Sequence, residues 1–180
     1  MKISHSILAL LLLLAKPTIA CDPDLDSTYF WFDLGNVLVE TRNGFDKLDY
    51  MPGALEYVKE IKARGGKVGL ITNIPETWGE PGNRESKVAK LDEVLKQGWI
   101  GQQPFDITLF DFVLVPLYTA EAKPKPVLFE KALTQAGLEN CTPFFQCEDL
   151  REVDASLSAG MNAHLVEYDE QSRPKFFPLD

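Results

Sequence analysis

Short, wholly apolar runs alternate along this chain with longer stretches whose apolar residues recur every three or four positions. The runs are too short for helices, so they predict strands buried on both faces, and the stretches predict amphipathic helices packed against them. The first run, Tyr29-Phe30-Trp31-Phe32, stops at Asp33 and is followed by Leu34-Gly35-Asn36 before apolar residues resume. Further strands are expected at 67–72, 110–115, 143–147 and 163–167. A first helix is expected between Met51-Pro52-Gly53 and Gly65-Gly66, with Leu55, Val58 and Ile61 inward. A second is expected over 86–97 with Val88, Leu91 and Val94 or Leu95 inward. A third runs from Pro126 to Gly137 on Leu128, Phe129, Leu133 and Ala136, and a short fourth occupies 152–159 before Gly160. The polar segment 40–50, with Asn43-Gly44 at its middle, predicts a small hairpin flap.

Strands alternating with helices argue for a three-layer α/β/α, Rossmann-like domain around a central parallel sheet of about five strands. In such sheets ligands bind at the carboxyl edge. Asp33, Thr72-Asn73, the Lys123 region and Glu148-Asp149 each follow a strand, so the topology gathers them along that edge. At 180 residues, 45% hydrophobic and 25% charged, the chain has the composition of one ordinary globular domain.

The first twenty residues differ in kind. Lys2 is followed by the apolar run Ile7 to Ala15 and the small-residue ending Thr18-Ile19-Ala20. That pattern is too short to span a membrane and predicts a signal peptide over 1–20, leaving a domain over 21–180 that is exported to a periplasm or secreted. Cys21 would then be the first residue, free or lipidated as in a bacterial lipoprotein, and any two of Cys21, Cys141 and Cys147 could pair. Membrane association is expected only if Cys21 carries lipid. Losing Lys2 and Lys16 with the leader would move the formal net charge from −9 to −11. So acidic a surface disfavours nucleic acid as a partner, while a small phosphorylated substrate remains compatible with a few cations concentrated at one site. His5 falls in the leader, and His164 falls inside a predicted strand and reads as a sheet residue.

The acid, hydroxyl, lysine and acidic pair, taken in order, resemble the haloacid dehalogenase-like (HAD) superfamily. F-D-L-G-N-V-L-V resembles its first motif, G-L-I-T-N its second, K-P-K-P-V-L-F its third, and C-E-D followed by S-A-G-M its fourth; M-P-G-A precedes the first helix. The resemblance implies a Mg²⁺-dependent phosphatase acting on a phosphorylated substrate, either a small molecule or an exposed phosphate on a larger one. It implies Asp33 as nucleophile, Lys123 as the cation that offsets charge on aspartate and phosphate, and Thr72 and Asn73 as phosphate-binding groups. Mg²⁺ would be held by Asp33, the Gly35 carbonyl and an acid from Glu148 or Asp149.

Two departures accompany the resemblance. Gly35 stands where the family's phosphatases usually carry a second aspartate serving as general acid and base. In the fourth motif, counting back from Gly160-Met161 selects Glu148 as metal ligand with Glu152 four residues on, whereas aligning the acidic pair selects Asp149 with Asp154 five residues on. Glu152 and Asp154 otherwise read as charges at the start of a helix. The interval between Asp33 and Thr72 holds a flap and one helix and no large cap domain. Arg42, Trp78 and Arg84 are the residues near that edge that could reach a substrate. The rival readings are a catalytically weak protein that binds a phosphorylated ligand or partner, and a dehalogenase in which Asp33 attacks carbon.

Overall fold

The computed structural model describes residues 27–41 and 45–179. The expected leader, Cys21, Arg42 and the Asn43-Gly44 turn lie outside them. The elements, in chain order, are β1 (Thr28–Phe32), α1 (Ala54–Ala63), β2 (Lys67–Ile71), α2 (Arg84–Gly98), β3 (Phe112–Leu114), α3 (Val127–Leu138), β4 (Thr142–Cys147), α4 (Leu150–Ala159), β5 (Asn162–Leu165), β6 (Glu167–Tyr168) and β7 (Pro174–Lys175). The first five strands form one parallel sheet in the order β3-β2-β1-β4-β5, so β1 lies at its centre.

Every side chain of β1 is buried because its alternating faces enter two different cores. Phe30 and Phe32 pack with Val58 and Ile61 of α1 and Leu91 and Leu95 of α2. Tyr29 and Trp31 pack with Leu128, Phe129 and Ala132 of α3 and Val153 of α4. A continuous apolar run is therefore what a central parallel strand requires, and each such aromatic contributes about 1.5–3 kcal/mol by burial. The glycine in the second strand answers the same aromatic: a Cβ on Gly69 would lie 2.3 Å from Cε3 of Trp31. Trp31 fills the space that residue 69 leaves.

The flap segment is held at its base. Met51 N donates to Leu38 O at 2.9 Å and Glu40 N to Asp49 O at 2.9 Å, so the arms on either side of residues 42–44 pair as a hairpin does. Leu48 is then tied to the end of α2, its N–H donating to Gly98 O at 2.8 Å while Ile100 N donates back to Leu48 O at 2.9 Å.

Three features differ from the pattern-based expectation. The third strand has three residues rather than six, because it is an edge strand with a neighbour on one side only. In α2 the inward residue is Lys87, fully buried, with Val88 half-buried beside it. The Lys87 ammonium escapes a charge penalty by donating to Glu76 O at 2.9 Å and Trp78 O at 3.2 Å. Beyond residue 167, where no element was expected, β6 and β7 form an antiparallel pair and the chain then packs back on the α1 face. There buried Gln146 accepts from Phe177 N at 2.9 Å and donates to the Tyr57 hydroxyl at 3.1 Å, and that hydroxyl donates to Phe177 O at 2.7 Å. His164 lies in β5 with Nε2 2.9 Å from Lys175 O, a sheet residue. Cys141 and Cys147 are free thiols, not paired with each other.

Candidate active site

The carboxyl ends of β1, β2 and β4, with the loop before α3, surround a cleft of about 240 Å³. Asp33 enters it because β1 runs one further ladder bond, Asp33 N donating to Gln146 O at 3.0 Å, before the chain turns away. The turn is made by Leu34, Gly35 and Asn36. Asn36 has φ of 56°, a left-handed conformation that asparagine tolerates, and its Oδ1 accepts from Thr41 N and Oγ1 at 3.3 and 3.2 Å.

Asp33 Oδ1 accepts from Leu34 N at 2.8 Å and lies 2.7 Å from Lys123 Nζ. The same ammonium lies 2.7 Å from Glu152 Oε2, and the Lys123 side chain is 1% exposed. Burial alone pushes the Lys123 ammonium toward losing its proton, but Asp33 and Glu152 outweigh it and hold its pKa above the ordinary lysine value. Glu152 is pushed up by burial and by Asp33, against the pull of Lys123.

Lys123 owes its position to the residue after Thr72. The Asn73 side chain makes reciprocal bonds to its backbone, Nδ2 donating to Lys123 O at 3.0 Å and Oδ1 accepting from Lys123 N at 2.8 Å. The loop before α3 is thereby stitched to the end of β2. Thr72 is buried and also lines the cleft.

The acidic pair separates. Glu148 lines the cleft; burial and the Asp33 charge push its carboxyl up to about 7, and its Oε2 has no hydrogen-bond partner. Asp149 turns the other way, capping α4 by accepting from Arg151 N at 2.9 Å and pairing with the Arg151 guanidinium, which holds its carboxyl below the ordinary range. Asp149 has the geometry of a helix N-cap, and of the two acids it is Glu148 that lines the cleft. Glu152, which the sequence offers either as a supporting acid beside the metal site or as a charge at the helix start, is in the cleft. Of the residues flagged for substrate contact, Arg84 lies elsewhere, its guanidinium 4.2 Å from the ring centroid of Phe112. Two larger grooves, about 540 and 440 Å³, flank β3 around Arg84 and Phe112, and neither includes the Asp33–Lys123 pair.

No protein-family model matches the sequence, and no curated protein does. Solved structures do match the fold. A hydrolase from Streptococcus pneumoniae superposes with a TM-score of 0.55 over 79% of this chain and 94% of its own, at 11% identity. A HAD family enzyme from Bacteroides thetaiotaomicron, an aspartate-to-alanine variant in complex with magnesium and inorganic phosphate, gives 0.54 over 78% and 94%, at 11% identity. The fold is that of the haloacid dehalogenase-like superfamily. D,D-heptose 1,7-bisphosphate phosphatase from B. bronchiseptica, complexed with magnesium and phosphate, also matches, with a TM-score of 0.52 over 77% and 80%, at 14% identity. Among the described residues no cap domain interrupts the HAD-like sheet and its helices.

Among the described residues, no three His, Cys, Asp or Glu side chains close into a preformed metal cage. Mg²⁺ does not need one, since it is commonly bound by one or two carboxylates and keeps several waters. The orphaned, buried Glu148 Oε2, on a carboxylate that feels the Asp33 charge, is the feature that fits such an ion: a buried polar oxygen without a partner is costly, and a divalent cation would relieve it.

Proposed function

We propose that this protein is a Mg²⁺-dependent phosphomonoesterase that uses Asp33 as its nucleophile. The observation that carries the reading is the Asp33 carboxylate at the end of the central strand, held on one oxygen by buried Lys123 and by Leu34 N, with the second oxygen left for attack. The ammonium offsets the negative charge that gathers when a phosphate approaches Asp33. Thr72, by its hydroxyl, and Asn73, by its backbone amide, hold phosphate oxygens. The Asn73 side chain meanwhile fixes Lys123, and Glu152 fixes the ammonium from the far side.

Mg²⁺ would be held by Asp33, the Gly35 carbonyl and Glu148, and when bound it shields the charge between carboxylate and phosphate. The substrate oxygen leaves, Asp33 carries the phosphoryl group, and water releases it in a second step. The solved neighbours with magnesium and phosphate support this reading at the level of fold. The leader-like first twenty residues support an exported, periplasmic or secreted enzyme.

The test is mass spectrometry of the acid-quenched reaction with an activated aryl phosphate. A phosphoryl adduct on the peptide containing Asp33, absent from Asp33→Asn, is expected. Turnover with no adduct there would contradict the assignment.

A further inference from the structure

Beside the acids and Lys123, the lining of the cleft includes apolar Phe45, Ile74 and Leu91, and Phe45 meets Trp78 edge to face with ring centroids 5.2 Å apart. Phe45 is 39% exposed, a large aromatic left at the mouth of a charged site. Both rings are set in place by the backbone. A Cβ on Gly98 would lie 1.9 Å from the Phe45 carbonyl oxygen, so the flap can approach α2 this closely only over a glycine. Buried Lys87 grips the carbonyls of Glu76 and Trp78, which fixes the loop that carries Trp78. The lip is preorganised, and a planar apolar group could stack on it at little entropic cost.

The chemistry of the cleft points the same way. Position 35 has no side chain to protonate a departing oxygen, and Thr41 Oγ1 sits 3.1 Å from where a Cβ would be. Asp33 and Glu152 are engaged with Lys123, and the proposed function gives Glu148 to the metal, which leaves no side chain lining the cleft among the described residues to protonate a leaving oxygen and favours one that departs readily as an anion. A phenolic hydroxyl has a pKa of about 10, whereas an aliphatic hydroxyl lies far above it, near water. Among the described residues Lys123 is the one cation lining the cleft, and it is already paired with Asp33 and Glu152.

We infer that the cleft selects monophosphate esters of phenols, with the aromatic ring laid against Phe45, which Trp78 backs edge to face. The inference rests on the phosphatase reading. An Asp33 oxygen bonds to phosphorus as the phosphorus–aryl oxygen bond breaks. The aryloxide leaves with the bonding pair and takes its proton from solvent. Water then adds to phosphorus, the Asp33 carboxylate departs with its own oxygen, and the water's proton passes to solvent.

The test separates binding from turnover. Calorimetric titration with Mg²⁺ present compares phenylphosphonate with methylphosphonate, neither of which can be hydrolysed. The wild type should favour the phenyl compound by about tenfold, the scale of an aromatic contact plus its buried area. Phe45→Ala should bring the two affinities together, and Phe45→Tyr should restore the preference. Equal affinities in the wild type, no binding of phenylphosphonate, or a preference that survives Phe45→Ala would overturn the inference. Turnover is scored apart from this. Hydrolysis of glycerol phosphate as fast as phenyl phosphate would also overturn the aryl preference, whereas intact phenyl preference without any hydrolysis would count against the phosphatase reading alone. Comparing phenyl phosphate with a phosphotyrosyl peptide distinguishes a small aryl ester from the same group on a protein; faster hydrolysis of either one than of glycerol phosphate supports the inference.

Discussion

Replacing Lys123 by methionine, of similar length and no charge, should destabilise the protein strongly and in a pH-dependent way. The ammonium bridges Asp33 and Glu152 at 2.7 Å each, and the two carboxylates are only 15% and 10% exposed. Without it, two negative charges face each other in a site that water barely reaches. Breaking a buried pair by removing one partner costs about 3–5 kcal/mol, and that is the loss expected at pH 8. One acid can escape by taking up a proton, and Glu152 is already pushed up by burial. In the variant its folded pKa rises further above the unfolded value. The penalty is therefore full at high pH and shrinks as pH falls through the raised pKa, by about 1.4 kcal/mol for each unit of the rise. Urea denaturation at pH 8 and pH 5 measures both quantities, and adding Glu152→Gln to Lys123→Met should recover most of the loss at pH 8. A penalty below about 1 kcal/mol at pH 8, or one equal at the two pH values, would refute the reasoning that the ammonium neutralises a buried acid pair.

Other consequences follow from single contacts. Glu148, lifted to about 7, keeps its proton at pH 6 where the unfolded chain has lost it, so this group's contribution to the metal-free protein's stability falls as pH rises toward 7. Mg²⁺ needs the ionised form, so apparent Mg²⁺ affinity should rise about tenfold per pH unit below that pKa and lose this slope in Glu148→Gln, as calorimetry would show. Gly69→Ala places a methyl against Trp31 and should cost about 1–3 kcal/mol in chemical denaturation; a neutral result would mean that Trp31 has room to move. Gly35→Asp asks Thr41 to shift by a few tenths of an ångström. If a missing proton donor limits turnover of alkyl phosphates, it should raise their kcat by up to about 10²-fold in a steady-state assay.

The fold was legible because burial on both faces forces continuous apolar strands, as in Tyr29 to Phe32, and each strand ended near the residue that mattered. What the pattern could not carry were partners far along the chain. Glu152 is a helix-start charge until Lys123, 29 positions away, arrives beneath it. Asn73 was expected to act through its backbone amide, and nothing in the pattern announced the two bonds that its side chain makes to a loop 50 positions on. The choice between Glu148 and Asp149 turned on a helix cap: Arg151 holds Asp149 aside and leaves Glu148 in the cleft. Lys87 broke the apolar spacing of α2, and only carbonyls supplied by the preceding loop make a buried lysine tolerable there. The C-terminal return past Phe176 and Phe177 rests on Gln146 and Tyr57, whose polar ends gave no hint of it.

The most direct measurement is steady-state hydrolysis of an aryl phosphate by the purified protein, with Mg²⁺ and with a chelator, beside Asp33→Asn. Mg²⁺-dependent turnover that the chelator abolishes and Asp33→Asn lacks is the predicted result. Turnover that survives the substitution, or that ignores the chelator, would contradict the claim that Asp33 and a bound magnesium carry the chemistry.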